Sequence, residues 1–175
     1  MRVRRLINSR GLPKTGQTVV YQAGDDGTYQ AGWWRGDTIA ANRVRFKVWT
    51  IGANSFIIDK ATGLMWPKNF SGDGGNGAVT DAWIAGITWA LGLTFGGFTD
   101  WRIPNLFELF SIVNLSLSNP CVPAIFENVV SAGYWCSTTT PGDADTKFLV
   151  SLANSAVTGT AGILSNQLIV VRNKG

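Results

Sequence analysis

The chain has 175 residues, enough for one domain with a substantial core and too few for two comfortable ones. Apolar residues at 45% and charged residues at 15% exclude a disordered chain, and 21 glycines with 8 tryptophans point to many turns around an aromatic core. The net charge of +4 is local: Arg2, Arg4, Arg5, Arg10 and Lys14 precede the first acid, Asp25, and residues 15–175 carry 10 basic against 11 acidic groups.

This asymmetry divides the chain into a basic arm, residues 1–17, and a domain, residues 18–175. A short terminal charge run reads as solvated, so nucleic acid is not an expected partner. No stretch approaches the ~18 consecutive apolar residues of a membrane span, so no membrane insertion is expected. The opening residues lack the apolar core of a classical secretory signal. Leu12-Pro13-Lys14-Thr15-Gly16 spells a sorting motif that works near a C-terminus, and no role is expected for it at the opposite end.

After the arm, Thr18–Tyr29 reads as a short strand, TVVYQ, and a turn, Ala23-Gly24-Asp25-Asp26-Gly27. Trp33 and Trp34 belong to a connection that packs back on the body. Arg43–Trp49 alternates basic and apolar residues, predicting a half-buried strand with Val44, Phe46 and Val48 inward. Phe56-Ile57-Ile58 and Leu64-Met65-Trp66 read as two strands around the turn Asp59–Gly63. A glycine-rich loop, 69–78, leads to a helix over about 81–92, capped by Thr80-Asp81, with Trp83, Ile84, Ile87 and Leu91 on one face. A second helix follows Pro104, with Asn105 as cap and Glu108 in a capping-box position. Its apolar girth, Leu106, Phe107, Leu109, Phe110 and Val113, predicts that it is largely buried. From Tyr134 the pattern changes to short β segments at 134–137, 148–152 and 167–172. Between them, 138–166 is rich in small polar residues, which suggests surface display.

The chemistry that is missing is informative. The chain contains no histidine, which removes the usual general base and the Ser/His and Cys/His nucleophile pairs. Asp100, Glu108 and Glu127 leave carboxylate catalysis formally open, but Glu108 has a capping explanation and the other two lie at turns. The chain is expected not to be an enzyme. Asp73-Gly74-Gly75-Asn76 and Asp25-Asp26-Gly27 offer oxygen ligands without the spacing of a calcium loop, and no zinc pattern exists, so no metal or other cofactor is expected. Cys121 and Cys136 leave two readings open, a disulfide in an oxidising setting or two small buried side chains. Asp100-Trp101-Arg102 reads as a structural clasp, an aspartate and an arginine flanking an aromatic plane.

Four ordered segments carry a resemblance: Asp59–Trp66 (DKATGLMW), Gly97–Asn105 (GFTDWRIPN) with Glu108-Leu109, Tyr134–Thr139 (YWCSTT) and Val170-Val171-Arg172. Together they resemble the Lcl C-terminal domain family over about residues 43–175. The resemblance implies an α+β domain of C-type lectin fold, two helices packed on small twisted antiparallel sheets, with an exposed binding face at about 134–172. Domains of this fold serve as adhesins and glycan binders, and some are the variable proteins of diversity-generating retroelements in phages, bacteria and archaeal viruses, in which a reverse transcriptase rewrites adenines near the gene's 3′ end. The chain is similar to that subset. Its candidate variable, ligand-contacting positions are Thr139, Thr140, Asp143, Asp145, Ser151, Asn154, Thr158, Thr160 and Asn166; ordinary surface loops are the alternative. The sugar-binding calcium triplets of related lectins are absent. The reading is a receptor- or host-recognition module at a virion or cell surface, whose partner is a protein or glycan on a target cell. The alternative is a structural or assembly module that docks through the basic arm.

Overall fold

The computed structural model describes residues 13–29, 44–72, 74–75 and 82–174. In chain order they form α1 (Asp26–Tyr29), β1 (Phe46–Ile51), β2 (Asn54–Asp59), β3 (Leu64–Pro67), α2 (Trp83–Gly92), α3 (Leu106–Ser111), β4 (Gly133–Thr139), β5 (Thr146–Ser151), β6 (Val157–Ala161) and β7 (Arg172–Asn173). The strands make two antiparallel sheets, β1-β2-β3-β7 and β4-β5-β6. The α+β class expected from the sequence is therefore the observed one. Arg2, Arg4, Arg5, Arg10, Trp33, Trp34, Arg43, Asp73, Asn76, Thr80 and Asp81 lie outside the described residues.

Strand β2 is central, and Phe56, Ile57 and Ile58 are all buried because both of its faces are covered. Strand β1 is at the edge, and the expected inward stripe holds only in part: Phe46 is buried but Val48 is exposed. The inward residue that the alternation assigned to solvent is Arg45. Its guanidinium donates to both carboxylate oxygens of Asp59 (2.9 and 2.7 Å) and to the Ser111 carbonyl (2.7 Å). Asp59, fully buried, also accepts from the Ala61 N–H (2.9 Å) and the Thr62 hydroxyl (2.8 Å), so its charge is paired and its lone pairs are occupied. The pair joins the first sheet to the end of α3.

Four other expectations are corrected. Thr18–Gln22 is not a strand; Val19, Val20 and Tyr21 are exposed, and Asp25 instead caps α1 by accepting from the Thr28 N–H (3.0 Å). The capping box at Asn105 and Glu108 forms as expected, but α3 is not largely buried: Leu109 is inside while Phe107 is 81% exposed. A helix of six residues has one inward stripe, and Phe107 lies off it. Strand β6, VTGTA, falls in the small polar segment where no strand was expected, because its pairing with β5 comes from the ladder and owes nothing to apolar side chains. In α2 the inward face is Trp83, Gly86, Ile87 and Ala90, while Ile84 (71%) and Leu91 (68%) face solvent. Small residues won that face over large ones because they let the helix approach Leu168: a Cβ on Gly86 would lie 2.5 Å from Leu168 Cδ2.

Two aromatic-rich cores result. One gathers Phe46, Ile57, Trp66, Phe70, Leu109, Tyr134, Val150, Ile169 and Val171; the other gathers Phe56, Met65, Ala90, Trp101, Trp135, Leu149, Leu168 and Val170. The segment Leu168–Val171 alternates between them. It is anchored on both sides, by Trp135 N–H to Gln167 O (3.0 Å), Gln167 N–H to Gly133 O (3.0 Å), Val170 N–H to Gly74 O (3.1 Å) and Val171 N–H to Arg102 O (2.8 Å).

Helix propensity alone scores Gly86→Ala as a gain of about 1 kcal/mol. The contact with buried Leu168 reverses the sign, and a net loss of about 1–2 kcal/mol is expected in chemical denaturation. In a Leu168→Ala background the same substitution should cost less, and a double-mutant cycle measures that coupling.

Candidate functional site

The segment expected to display ligand contacts is the second sheet. In an antiparallel ladder, directly paired residues share a face. The register puts Trp135, Leu149 and Thr158 in one row and Thr139, Lys147 and Thr160 in the next, on the same side. Trp135, Leu149 and Lys147 are buried; Thr139 and Thr158 are exposed and Thr160 is half-buried. The opposite side carries Tyr134 and Val150 into the first core, with Val157 exposed in the same row. Strands β4 and β5 are thus clamped between two cores, while β6 runs along the free edge.

The nine candidate positions do not form one cluster. Thr139, Thr140, Asp143, Asp145 and Thr160 gather at the β4–β5 turn, where the Gly162 N–H donates to Asp145 O (2.8 Å). Ser151 and Asn154 lie at the opposite end of β5, about 17 Å away by strand rise. Asn166 is with them, 3.4 Å from the Cβ that Gly133 would carry. Thr158 lies between the groups on β6.

Several of these residues are engaged in building turns. Asp143 accepts from Asp145 N–H (2.9 Å), Thr146 N–H (3.2 Å) and the Thr146 hydroxyl (2.5 Å). The Thr146 hydroxyl and these N–H groups hold its carboxyl below the usual range. Asn154 Oδ1 accepts from Ala156 N–H (3.2 Å), and Ser151 Oγ from Ala153 N–H (3.3 Å). The Thr140 hydroxyl is buried without a partner. Among the described residues, the side chains of Thr139, Asp145, Thr158 and Thr160 make no hydrogen bond and are free for a ligand.

Sequence reasoning missed the floor and rim of this face. The Lys147 ammonium lies 4.7 Å from the centre of the Trp83 ring and donates to the Ala144 carbonyl, tying the β4–β5 turn to α2. Trp83 in turn donates through Nε1 to Cys136 O (2.7 Å) and through its N–H to Gly162 O (2.9 Å). At the rim, Ile163 (86%) and Leu164 are exposed apolar residues in the turn after β6. The available signal was Lys147 itself, a lone cation immediately before the apolar run Phe148–Val150.

The clasp residues have partners other than each other. Trp101 is buried, donates to Phe95 O (3.0 Å) and stacks on Phe56 with ring centres 5.9 Å apart. Asp100 accepts from Arg172 Nε (2.6 Å), whose guanidinium lies 3.9 Å from the Phe98 ring centre. Arg102 pairs bidentately with Glu108 (2.6 and 2.6 Å), and Glu108 closes the capping box on Asn105 N–H (2.8 Å). Asp100 and Arg102, two positions apart, diverge toward different elements, so each end of the clasp closes on a partner outside it, Arg172 and Glu108.

Cys121 and Cys136 are free and buried in the first core. Burial pushes the Cys136 thiol up to about 12 and raises that of Cys121, so neither is primed as a nucleophile.

The sequence pattern of the Lcl C-terminal domain matches residues 55–172, from β2 to β7. The chain belongs to that family. In this Lcl C-terminal domain the matched span includes both cores except Phe46, and the whole second sheet, but begins after β1, a shorter reach than the 43–175 expected. No curated protein matches the chain. Membership supports a lectin-like, ligand-binding module.

Within this Lcl domain, the Arg102–Glu108 pair gives a pH test. Burial by itself would raise the Glu108 carboxyl, but the Arg102 guanidinium and the Asn105 N–H outweigh it and hold its pKa below the ordinary value. A depressed folded-state pKa contributes stability that is present above about 4.5, the unpaired value, and is lost as pH falls through the folded value. Glu108→Gln should lower stability at pH 7 by about 1–3 kcal/mol. The gap between it and the parent chain should close as thermal unfolding is followed downward below pH 4.5.

Proposed function

We propose that this chain is a ligand-recognition domain of C-type lectin type and, more finely, a variable protein of a diversity-generating retroelement. The ligand contacts would be carried by Thr139, Asp145, Thr158 and Thr160, with Ile163 and Leu164 as an apolar rim. The observation that carries the reading is the division of labour in the second sheet. Free side chains line its outer strand and end turn, while the two strands beneath are held by buried Trp135, Leu149 and Val150. Side chains on such a support change contact chemistry without disturbing the core, and the support spares the ligand-binding step an ordering cost. The target is a protein or glycan on another cell's surface, and the protein acts at a virion or cell surface. Catalysis forms no part of the reading: Glu108 is committed to Arg102, Glu127 pairs with Lys68, and there is no histidine.

One observation favours a second reading, assembly. Phe107, Phe110 and Leu115 are exposed beside Pro13, Lys14 and Thr15, around a cavity of about 230 Å³ where the arm joins the body. Exposed aromatic surface of this kind suits protein contacts. If it holds an assembly together, Phe107→Ser should convert an oligomer to monomers in sedimentation velocity while leaving the second sheet's ligand binding intact.

The recognition reading is tested by deep sequencing of the gene's 3′ end in its native population. Substitutions should concentrate at adenine-bearing codons for the free positions above and spare Trp135, Lys147 and Val150; a uniform sequence would overturn the retroelement assignment. In the purified protein, Thr158→Tyr and Thr160→Tyr should each shift stability by no more than about 0.5 kcal/mol in urea titration.

A further inference from the structure

Strand β1 is the outer strand of the first sheet, and only its β2 side is paired. The bond from Lys60 N–H to Arg45 O (2.9 Å) fixes the phase of that ladder. Antiparallel partners alternate between pairs that exchange hydrogen bonds and pairs that do not. The backbone groups of Arg45, Lys47, Trp49 and Ile51 therefore turn toward β2, and those of Phe46, Val48 and Thr50 turn away. Among the described residues, no hydrogen bond engages these outward N–H and C=O groups. The side chains of Lys47, Val48, Trp49 and Thr50 beside them are exposed.

An open edge is a template for another strand, and proteins blunt it with a proline, a bulge or several charges. Strand β1 runs in unbroken register with β2 over its six residues, holds no proline, and carries one charge, Lys47. Val48 and Trp49 leave apolar surface at the edge. The sequence of the strand selects what covers it. Set antiparallel to itself about a twofold axis at Val48, β1 opposes Val48 to the partner's Val48 and Phe46 to the partner's Thr50, and each such pair exchanges both backbone bonds. Between them Lys47 meets the partner's Trp49 at the closest side-chain spacing of the ladder, an ammonium against an indole ring. Neighbouring registers are poorer. A slip of one residue sets each free N–H opposite a residue whose groups already face β2. A slip of two residues either sets Lys47 against the partner's Lys47, like charge on like, or carries Phe46 past the strand to the partner's Gly52 in the turn. We propose that β1 is a dimerisation edge, on which a second copy of this chain adds its own β1 antiparallel and continues the sheet across both protomers. The contact uses none of the residues of the β4–β6 face or of the surface around Phe107.

The test is sedimentation equilibrium of the full chain from micromolar to submillimolar concentration. A monomer–dimer equilibrium is expected, with a Kd on the order of 10 µM. Val48→Lys sets two ammonium groups opposite each other, and Val48→Pro removes the central N–H; each should weaken the dimer about tenfold or more. Both should unfold close to the parent's thermal midpoint, because Val48 is exposed and its N–H faces away from β2, a position that accepts proline. Val48→Cys should form an intermolecular disulfide in oxidised glutathione, since directly opposed Cα atoms lie about 5.5 Å apart. Thr50→Cys should not, since the two copies of that residue would lie about 14 Å apart by strand rise. Cys121 and Cys136 are buried and do not compete. A monomer at every concentration would overturn the proposal, and so would a dimer that both Val48→Lys and Val48→Pro retain. A dimer that Phe107→Ser alone dissolves would also overturn it and move the contact to α3. Cross-linking through Thr50→Cys in place of Val48→Cys would overturn the register and the proposal with it.

Discussion

Gln167–Val171 is an extended stretch that feeds two cores at once, and the rest of the molecule is arranged around it. Successive side chains of an extended chain point to opposite sides, so Leu168 and Val170 enter one core while Ile169 and Val171 enter the other. A stretch buried on both faces leaves its backbone polar groups without water, and each must find a partner. They find them in different parts of the chain, in Gly133, Gly74 and Arg102. The requirement to satisfy one buried backbone thus brings the second sheet, the glycine-containing loop and the loop before α3 to a common centre. Gly86 in α2 is shaped by the same stretch, since a side chain there would collide with Leu168.

Charge pairs fasten the periphery to this centre. Arg45–Asp59 locks the first sheet to the end of α3, Arg102–Glu108 locks the start of α3 to the loop that precedes it, and Asp100–Arg172 holds the final strand beside Phe98. In two of these three, the arginine also lies over an aromatic ring, so packing and charge act in the same place. The proposed binding face benefits indirectly. With β4 and β5 held from both sides, β6 is carried by its backbone ladder and leaves Val157 and Thr158 exposed, whereas a Cβ on Gly159 would lie 2.9 Å from Thr146 Cγ2. A ladder bonded through its backbone is indifferent to which polar side chains it carries, which is what a recognition surface of adjustable specificity requires.

Much of this was legible in the sequence where the signal is local. The Asn105–Glu108 capping box and the paired strands around Asp59–Gly63 are features of consecutive residues and are found as read, and the four segments that resemble the Lcl pattern all lie inside the matched span. The candidate positions between 138 and 166 were legible as small and polar but not as free or engaged. Asp143 is the same residue type as Asp145, and Asn154 is similar in size and polarity, yet their oxygens are spent on turn N–H groups. That distinction depends on where the next few amides point, which residue types alone do not encode.

By itself the sequence determined the α+β class, the helix starting after Pro104, the apolar strands and the family, because capping, alternation and motif order act over a few residues at a time. The tertiary structure decided which apolar residues are inside, how the ionic partners are matched and where the face lies. Ile84 is outside and Gly86 inside, Asp100 pairs with Arg172 seventy-two positions away, and Thr139 meets Thr160 across Lys147. Close packing against Leu168, the convergence of distant loops on one buried extended stretch, and strand register are properties of the assembled chain, and no local pattern contains them.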